Sequence, residues 1–333
     1  SADLTVTAKP ITITANTLQT KVYGETDPTF DYAITSGSLE IGDSLTGSLS
    51  RSPGSSVGSY ALNIGTLENS NYNIGFVPAN FTITTRPITI TATARTKVYG
   101  QNDPSLVFTV TSGSLVGSDA LSGSLSRVSG DDAGTYAITR GTVANSNYAI
   151  TYVGVNLTIE RATQDALSVT TSQITYGTSV VLGSSGGSGT GDVSYAVSSS
   201  GSAGCSIVDD TLSATGGVGT TCTVAVTKAQ SANHNEATSS AATITVINRA
   251  ITVTATSARK NYGDTDPELL YTITSGALVA GDTLDGALER ASGESVGTHS
   301  ITRGTLANAN YTITYVGANL TIDPRPITVR AAD

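Results

Sequence analysis

The chain has 333 residues, of which 13% are charged, and its formal net charge is −9. Lys and Arg are too sparse and scattered for a nucleic-acid-binding face, and no apolar run reaches the length of a membrane span. The abundance of Ser, Thr, Gly and Val, with no Met or Trp, predicts short β-strands and tight turns throughout.

Internal repetition dominates the sequence. The segment GTVANSNYAITYVGVNLTI, which starts at Gly141, recurs from Gly304 with 15 of 19 positions identical, and a more distant copy starts at Gly65. The opening KVYGETDP recurs as KVYGQNDP and again as NYGDTDP. Repetition on this scale predicts a tandem array of small domains rather than one large enzyme.

The first predicted domain covers residues 1–85. Its segment PITITA alternates apolar and polar residues, which predicts a half-buried strand, and YGETDP predicts a turn. FDYAITSG predicts a strand, LEIGDSLTGSLSR a bend and a strand, VGSYALNIG a strand, and NYNIGFVPANFTIT one or two closing strands. Residues 86–160 and 249–323 repeat this plan, and residues 324–333 begin a further copy.

Residues 161–248 form a divergent domain that contains both cysteines, Cys205 and Cys222. They flank a Gly-rich turn and predict a disulfide between neighbouring strands, which would close a loop worth about 3 kcal/mol. Two buried thiols are the alternative, and no Cys/His cluster favours a metal site.

The domain junctions lack Gly/Ser linkers, because each closing strand runs almost directly into the next opening strand. Short junctions leave little freedom, and two of them place Pro directly after Arg. The sequence therefore predicts an all-β fold: a tandem array of small β-sandwich-like domains that forms an elongated rod. We expect an arginine at each junction to pair with an acidic residue of the neighbouring domain, namely Arg86, Arg161, Arg249 and Arg325.

The repeated motifs resemble the "mostly beta, glycine-rich" (MBG) domain family, and the divergent domain resembles a bacterial Ig-like repeat. In the last repeat the matching residues are Tyr262, Gly263, Pro267, Ser275, Gly276, Leu278, Gly281, Asp282, Leu284, Gly286, Leu288, Arg290, Gly297, Gly304, Asn310, Tyr311, Leu320 and Ile322. The second repeat departs from this pattern at Ser118. The resemblance implies tandem domains of large secreted bacterial adhesins of the filamentous-haemagglutinin or biofilm-matrix type.

Candidate chemistry is sparse, and we expect no catalytic activity and no cofactor. The two histidines, His234 and His299, lie in different domains, and His299 stands where the other repeats have Tyr60 and Tyr136. Recurrent aspartates are candidate calcium ligands or turn residues that bond their own backbone: Asp27, Asp43, Asp103, Asp119, Asp266 and Asp282. Recurrent tyrosines are interpreted as structural, with the ring buried and the hydroxyl bonded, in preference to sugar stacking: Tyr23, Tyr99, Tyr176 and Tyr262, and Tyr72, Tyr148 and Tyr311.

The functional expectation is a stiff spacer in a secreted or cell-surface bacterial adhesin, which projects a binding tip or bridges cells in a biofilm matrix. Its expected partners are neighbouring repeats of a longer protein, with no nucleic acid and no membrane span, and the chain is expected to be a monomer. The alternative function is a binding module for exopolysaccharide or host glycan, with the divergent domain as the candidate site.

Overall fold

The structure, a computed structural model, describes residues 2–330. The contacts divide the chain into two compact units, with the boundary between Glu160 and Arg161. The first unit holds the first repeat (9–84) and the second repeat (86–160), and the second unit holds the divergent domain (161–248) and the third repeat (249–323). Within residues 2–330, there is no helix of the length and apolarity that crossing a membrane requires.

The three repeats have the same seven-strand order. The first contains β1 Lys9–Ala15, β2 Gln19–Val22, β3 Tyr32–Ser36, β4 Ser50–Arg51, β5 Gly58–Asn63, β6 Tyr72–Val77 and β7 Asn80–Thr84. The second contains β8 Arg86–Ala92, β9 Arg95–Val98, β10 Phe108–Ser112, β11 Ser126–Arg127, β12 Gly134–Thr139, β13 Tyr148–Val153 and β14 Asn156–Glu160.

The second unit continues this numbering. The divergent domain contains β15 Ser168–Val169, β16 Gln173–Thr175, β17 Ser179–Val181, β18 Ser184–Ser185, β19 Val193–Ser199, β20 Ser206–Val208, β21 Thr211–Ser213, β22 Thr221–Lys228, β23 Ala237–Thr238 and β24 Ala242–Ile247. The third repeat contains β25 Arg249–Ala255, β26 Ala258–Asn261, β27 Tyr271–Ser275, β28 Glu289–Arg290, β29 Gly297–Thr302, β30 Tyr311–Val316 and β31 Ala318–Asp323.

Each repeat encloses its core between two sheets. In the first repeat these are a three-stranded sheet, β3-β1-β6, and a four-stranded sheet, β2-β7-β5-β4. The pairs β1–β6 and β2–β7 are parallel, while β1–β3 and β5–β7 are antiparallel. The second repeat has the orders β10-β8-β13 and β11-β12-β14-β9, and the third has β27-β25-β30 and β26-β31-β29-β28.

Strand alternation explains how the core forms. In β1, Ile11 and Ile13 point inward and are buried, while Thr12 and Thr14 remain partly exposed. Phe81 and Ile83 of β7 face them from the second sheet and are fully buried. Because side chains alternate between the two faces of a strand, the period-two pattern fixes which residues fill the core.

Two details of the first repeat differ from the sequence prediction. The prediction places the YGETDP turn directly after the PITITA strand, whereas the structure has β2 between them, in parallel pairing with β7. The expected strand in LEIGDSLTGSLSR is only the two-residue β4 and a bridge at Thr46. β2 pairs with the distant β7, whereas β4 pairs with the next strand, β5, and Thr46 bridges to Glu68. Because backbone pairing holds these elements, hydrophobic alternation does not report them.

The divergent domain also has two principal sheets. One has the order β16-β24-β22-β19, with β23 beside β22, and the other has the order β17-β21-β20. Cys205 and Cys222 form the predicted disulfide. The expectation that it joins neighbouring strands is wrong: Cys205 directly precedes β20 and Cys222 lies in β22, so the bond links the two sheets.

Candidate functional site at the domain junctions

The Tyr-Gly turn of a repeat lies beside the start of the next domain. In the first repeat, the backbone nitrogen of Tyr23 donates to the carbonyl oxygen of Thr84 over 2.9 Å. This contact extends the parallel pairing of β2 with β7, and β8 begins only two residues later, at Arg86. Parallel pairing therefore delivers Tyr23 and Gly24 to the surface that meets the second repeat.

The first junction joins two tyrosines to one aspartate. The Tyr23 hydroxyl donates to Oδ2 of Asp119 over 3.0 Å, across the boundary between the repeats. Tyr148, in the second repeat, donates to the same oxygen over 2.5 Å. The two rings meet edge to face, with their centroids 5.6 Å apart, an arrangement worth about 0.5–1.5 kcal/mol beyond the buried area.

A second set of contacts closes the same junction. The Val57 backbone nitrogen donates to Oδ1 of Asn147 over 3.0 Å, and Nη1 of Arg86 donates to the Tyr23 carbonyl over 3.3 Å. Gly24 has φ +86°, and a Cβ built there would lie 2.4 Å from Cγ2 of Val116. Glycine is therefore required at this position both by its backbone conformation and by the close approach.

The second unit contains the same arrangement between the divergent domain and the third repeat. Tyr176 donates to Oδ1 of Asp282 over 3.4 Å, and Tyr311 donates to Oδ2 of that carboxylate over 2.6 Å. The Tyr176 and Tyr311 rings again meet edge to face, with their centroids 5.9 Å apart. A tyrosine pair around one carboxylate thus occurs at the junction within each unit.

The remaining contacts recur as well. The Val218 nitrogen donates to Oδ1 of Asn310 over 3.0 Å, and Nη1 of Arg249 donates to the Gly177 carbonyl over 3.4 Å. A Cβ at Gly177 would lie 2.2 Å from Cγ2 of Val279. Two preceding domains of different strand order therefore present a Tyr-Gly turn and a valine N–H to the same receiving face. The carbonyl that the arginine binds differs by one position, Tyr23 in the first junction and Gly177 in the other.

Burial and the neighbouring carboxylates raise the pKa of the junction tyrosines. The hydrogen bond to Asp119, together with burial, raises the pKa of Tyr23 above its ordinary value. Burial and the bond to Asp119 raise the pKa of Tyr148, and burial and the bond to Asp282 raise the pKa of both Tyr176 and Tyr311. A neutral hydroxyl can donate to a carboxylate, whereas a phenolate would repel it.

The expected carboxylate partners of the junction arginines are wrong in three of four cases. Arg86 donates to the carbonyls of Tyr23 and Ser114, and Arg249 donates to that of Gly177. Arg161 donates to the carbonyls of residues 231 and 232. Arg325 does meet a carboxylate, Asp264, at 3.5 Å, and both groups are largely exposed, so the pair contributes little.

The aspartate before each repeat proline lies between two cations. Asp27 contacts Lys21 at 2.5 Å and Arg51 at 2.7 Å. In the second repeat, hydrogen bonds from Arg127 and Lys97 lower the pKa of Asp103 to about 2. In the third, Arg290 and Lys260 do the same for Asp266.

This ion cluster organises the loop that precedes β5. Nη1 of Arg51 donates to the carbonyls of Ser52 and Gly54. The same loop ends at Val57, whose nitrogen enters the first junction. Asp27 therefore acts through Arg51 on the shape of a junction loop.

The six candidate calcium ligands fall into two separate groups. Asp27, Asp103 and Asp266 contact Lys and Arg side chains, and the others accept tyrosine hydroxyls: Asp43, Asp119 and Asp282. The partners are side chains of other elements rather than the turn backbone proposed from the sequence. Across residues 2–330, no three His, Cys, Asp or Glu residues gather as a metal site would require.

The two histidines occupy different settings. His299 takes the place of a repeat tyrosine: its Nε2 lies 2.9 Å from the Ser295 carbonyl, as the Tyr60 hydroxyl lies 2.6 Å from that of Ser56. His234 sits in the divergent domain, where its residue bridges to Ala162. The substitution of His for Tyr therefore preserves one structural contact.

Comparison with protein families matches the MBG domain (YGX type) at residues 11–82, 88–158 and 251–321, which together make up more than half of the chain. The chain belongs to the MBG domain family. The divergent domain lies outside the matched segments, so it supplies a Tyr-Gly turn to an MBG repeat without matching the family itself.

No curated protein matches this chain. Among solved structures, the crystal structure of Drosophila N-cadherin EC1-4 is similar at 8% sequence identity, over 80% of this chain and 83% of that one, with a TM-score of 0.20. A TM-score at this level does not establish a common fold.

The sequence identified part of the MBG junction and missed the rest. The sequence pattern marks the recurrent tyrosines, Asp119 and Asp282, and the buried, bonded interpretation holds for Tyr72, Tyr148 and Tyr311. Tyr262 differs, because it remains 49% exposed. Asn147 and Asn310, whose side chains accept the valine N–H groups, belong to the repeated NY motif. The sequence does not predict this role, because their partners are backbone groups of another domain.

Proposed function

We propose that this chain is a spacer segment of a secreted or cell-surface bacterial adhesin, in which the two domains within each unit are held in a fixed orientation. The proposal assigns it no catalytic role. The observation that carries it is the recurrence of one junction: in both units a Tyr-Gly turn docks on an Asp and a Tyr, and a valine backbone N–H docks on an Asn. Flexible links between domains would not require the same specific contacts in two different pairs of domains.

The junction contacts are strong enough to favour the docked arrangement of two neighbouring domains. Each hydrogen bond contributes about 0.5–1.5 kcal/mol net, and the tyrosine pair adds a similar amount. Together they reach a few kcal/mol, and each 1.4 kcal/mol is about a tenfold change in a population ratio. Because the domains are also linked covalently, the docked arrangement is expected to predominate.

Spin labels can test this stiffness in the full chain. Ser36 and Ser112 occupy equivalent exposed positions in β3 and β10, so Cys substitutions there report on the first junction by pulsed electron resonance. We expect one narrow distance distribution, which broadens in the variant Tyr23→Ala/Asn147→Ala. Tyr136→Phe is the control, since its hydroxyl bonds within the second repeat. A broad distribution in the chain without junction substitutions would contradict the spacer proposal.

The binding-module alternative remains a prediction with its own test. The purified, oxidised chain would be screened against glycans and matrix polymers, with and without calcium. The spacer proposal expects no saturable binding. Saturable binding that is lost when the divergent domain is altered would favour the alternative.

A further inference from the structure

The first repeat carries the receiving face of a junction. The Tyr72 hydroxyl donates to Oδ2 of Asp43 over 2.7 Å and accepts from the Glu40 nitrogen over 2.8 Å. The Asn71 nitrogen donates to Oδ1 of Asn69 over 2.9 Å. The same bonds occur around Tyr148 in the second repeat and around Tyr311 in the third. The face is therefore already formed.

In the first repeat this face has no docked turn within the described part of the chain. Asn71 is exposed, whereas its equivalents Asn147 and Asn310 are half-buried beneath a bound turn. Among the contacts of residues 2–330, no backbone nitrogen donates to the Asn71 side chain as Val57 and Val218 donate to the other two. A preformed acceptor set is thus left open to a partner.

The residues that precede the first repeat give a second indication that a further domain binds here. Leu4 and Val6 precede Pro10 by the same number of residues as Phe81 and Ile83 precede Pro87. Phe81 and Ile83 are fully buried in the last strand of the first repeat, whereas Leu4 is 91% exposed and Val6 is 86% exposed. Alternating apolar residues at a core spacing are expected to enter a sheet.

We propose that the face formed by Asp43, Asn71 and Tyr72 binds the Tyr-Gly and Val-Gly turns of a further all-β domain, and that Leu4 and Val6 enter the last strand of that domain. The partner must supply a tyrosine hydroxyl for Asp43, a glycine beside it, and a free backbone N–H for Asn71. Its remaining fold is unrestricted, because an MBG repeat and the divergent domain both serve as donors at the observed junctions.

The face of the first repeat differs from the other two at one position, Glu40. Glu40 stands where the other two receiving faces have Val116 and Val279, and it pairs with Lys9 at 2.5 Å. Lys9 is the equivalent of Arg86 and supplies a cation at the same position, here engaged by Glu40. Because the donor glycine packs against valine at the first junction, Glu40→Val is expected to strengthen docking.

The docking part of the proposal is tested in the chain with one added domain in place of residues 1–7. A second copy of residues 9–84 is joined to Ala8, which restores the spacing of the first junction, and Ser36→Cys in both copies carries the labels. We expect the distance distribution to coincide with that of Ser36 and Ser112 in the unextended chain. Asn71→Ala combined with Asp43→Asn in the original first repeat should broaden it, whereas Asn63→Ala, outside the face, should not.

Two results would overturn this docking. One is a broad distribution with the face intact. The other is a narrow distribution that the Asn71→Ala/Asp43→Asn variant leaves unchanged, which would show that something other than this face orients the added domain. The adhesin role is not involved in either measurement, so docking and the proposed function can fail separately.

The strand part has an independent test. A second extension carries a copy of residues 9–79 joined to Asp3, so that 3–7 replace 80–84 as its last strand. We expect slow amide hydrogen exchange at Leu4 and Val6, and loss of that protection in Leu4→Asp. Exchange at Leu4 and Val6 as fast as in the unextended chain would overturn the strand assignment.

Discussion

Tyr23 and Tyr148, which belong to different repeats, donate their hydroxyl hydrogens to the same oxygen of Asp119. The Asp119 carboxylate therefore accepts a hydrogen bond from within its own repeat, the second, and another from the first repeat. The same double use of Asp282 by Tyr176 and Tyr311 occurs in the other unit. A residue required by the fold is thereby also a determinant of how consecutive domains contact each other.

The Asn147 side chain should control the exchange of a single amide in the preceding repeat. Replacing it in Asn147→Ala removes the acceptor of the Val57 N–H, which at about 1 kcal/mol corresponds to a several-fold faster hydrogen exchange. Exchange followed by nuclear magnetic resonance would measure it. Asn63→Ala, an exposed asparagine in β5, is the control and should leave the Val57 rate unchanged. Equal rates in both variants would show that the junction bond is not formed in solution.

Gly24 and Gly42 provide a matched pair for the close packing of the junction. Both have positive φ, +86° and +93°, but only a Cβ at Gly24 meets another side chain, Val116. Gly42→Ala should cost about 1–2 kcal/mol for the left-handed backbone. Gly24→Ala should cost about 1–3 kcal/mol more through overpacking. Urea unfolding measures both, and equal destabilisation would mean that the repeats do not pack as described.

Acid should destabilise the ion clusters within a defined window. The pKa of Asp103 and that of Asp266 are lowered to about 2 by their arginine and lysine partners, from the value of 3.8 that each would have when unfolded. Their contribution to stability is therefore complete above pH 3.8 and is lost as the pH falls towards 2. Urea midpoints measured across this range should decline, and less so in Asp103→Asn/Asp266→Asn. A decline of the same size in that variant would assign the acid sensitivity to other groups.

The disulfide should stabilise a junction loop as well as the divergent domain. Cys222 lies close after Val218, and Thr215 and Gly216 both donate to the Ala203 carbonyl near Cys205. Closing a loop of this size is worth about 3 kcal/mol. Reduction should therefore lower the unfolding midpoint and speed amide exchange at Val218, while exchange at Val57 in the other unit serves as the internal control. An unchanged exchange rate at Val218 would show that the disulfide does not stabilise the junction loop.

Local pattern determined much of the MBG architecture. The alternation in PITITA predicted β1, and the recurring motifs predicted repeats of one plan, because strand alternation and turn glycines act over a few residues. The disulfide was predicted from two cysteines, and the slot of His299 from its alignment with Tyr60 and Tyr136.

Only the tertiary structure decided how those pieces meet. The parallel pairing of β2 with β7, the two-sheet span of the disulfide, and the carbonyl partners of Arg86 all depend on elements far apart in the chain. The Asn147 contact with Val57 joins a side chain to a backbone group, which any residue type supplies. Sequence motifs indicate which side chains a fold requires. They do not indicate which backbone group a side chain will bind, because that is determined when the domains pack.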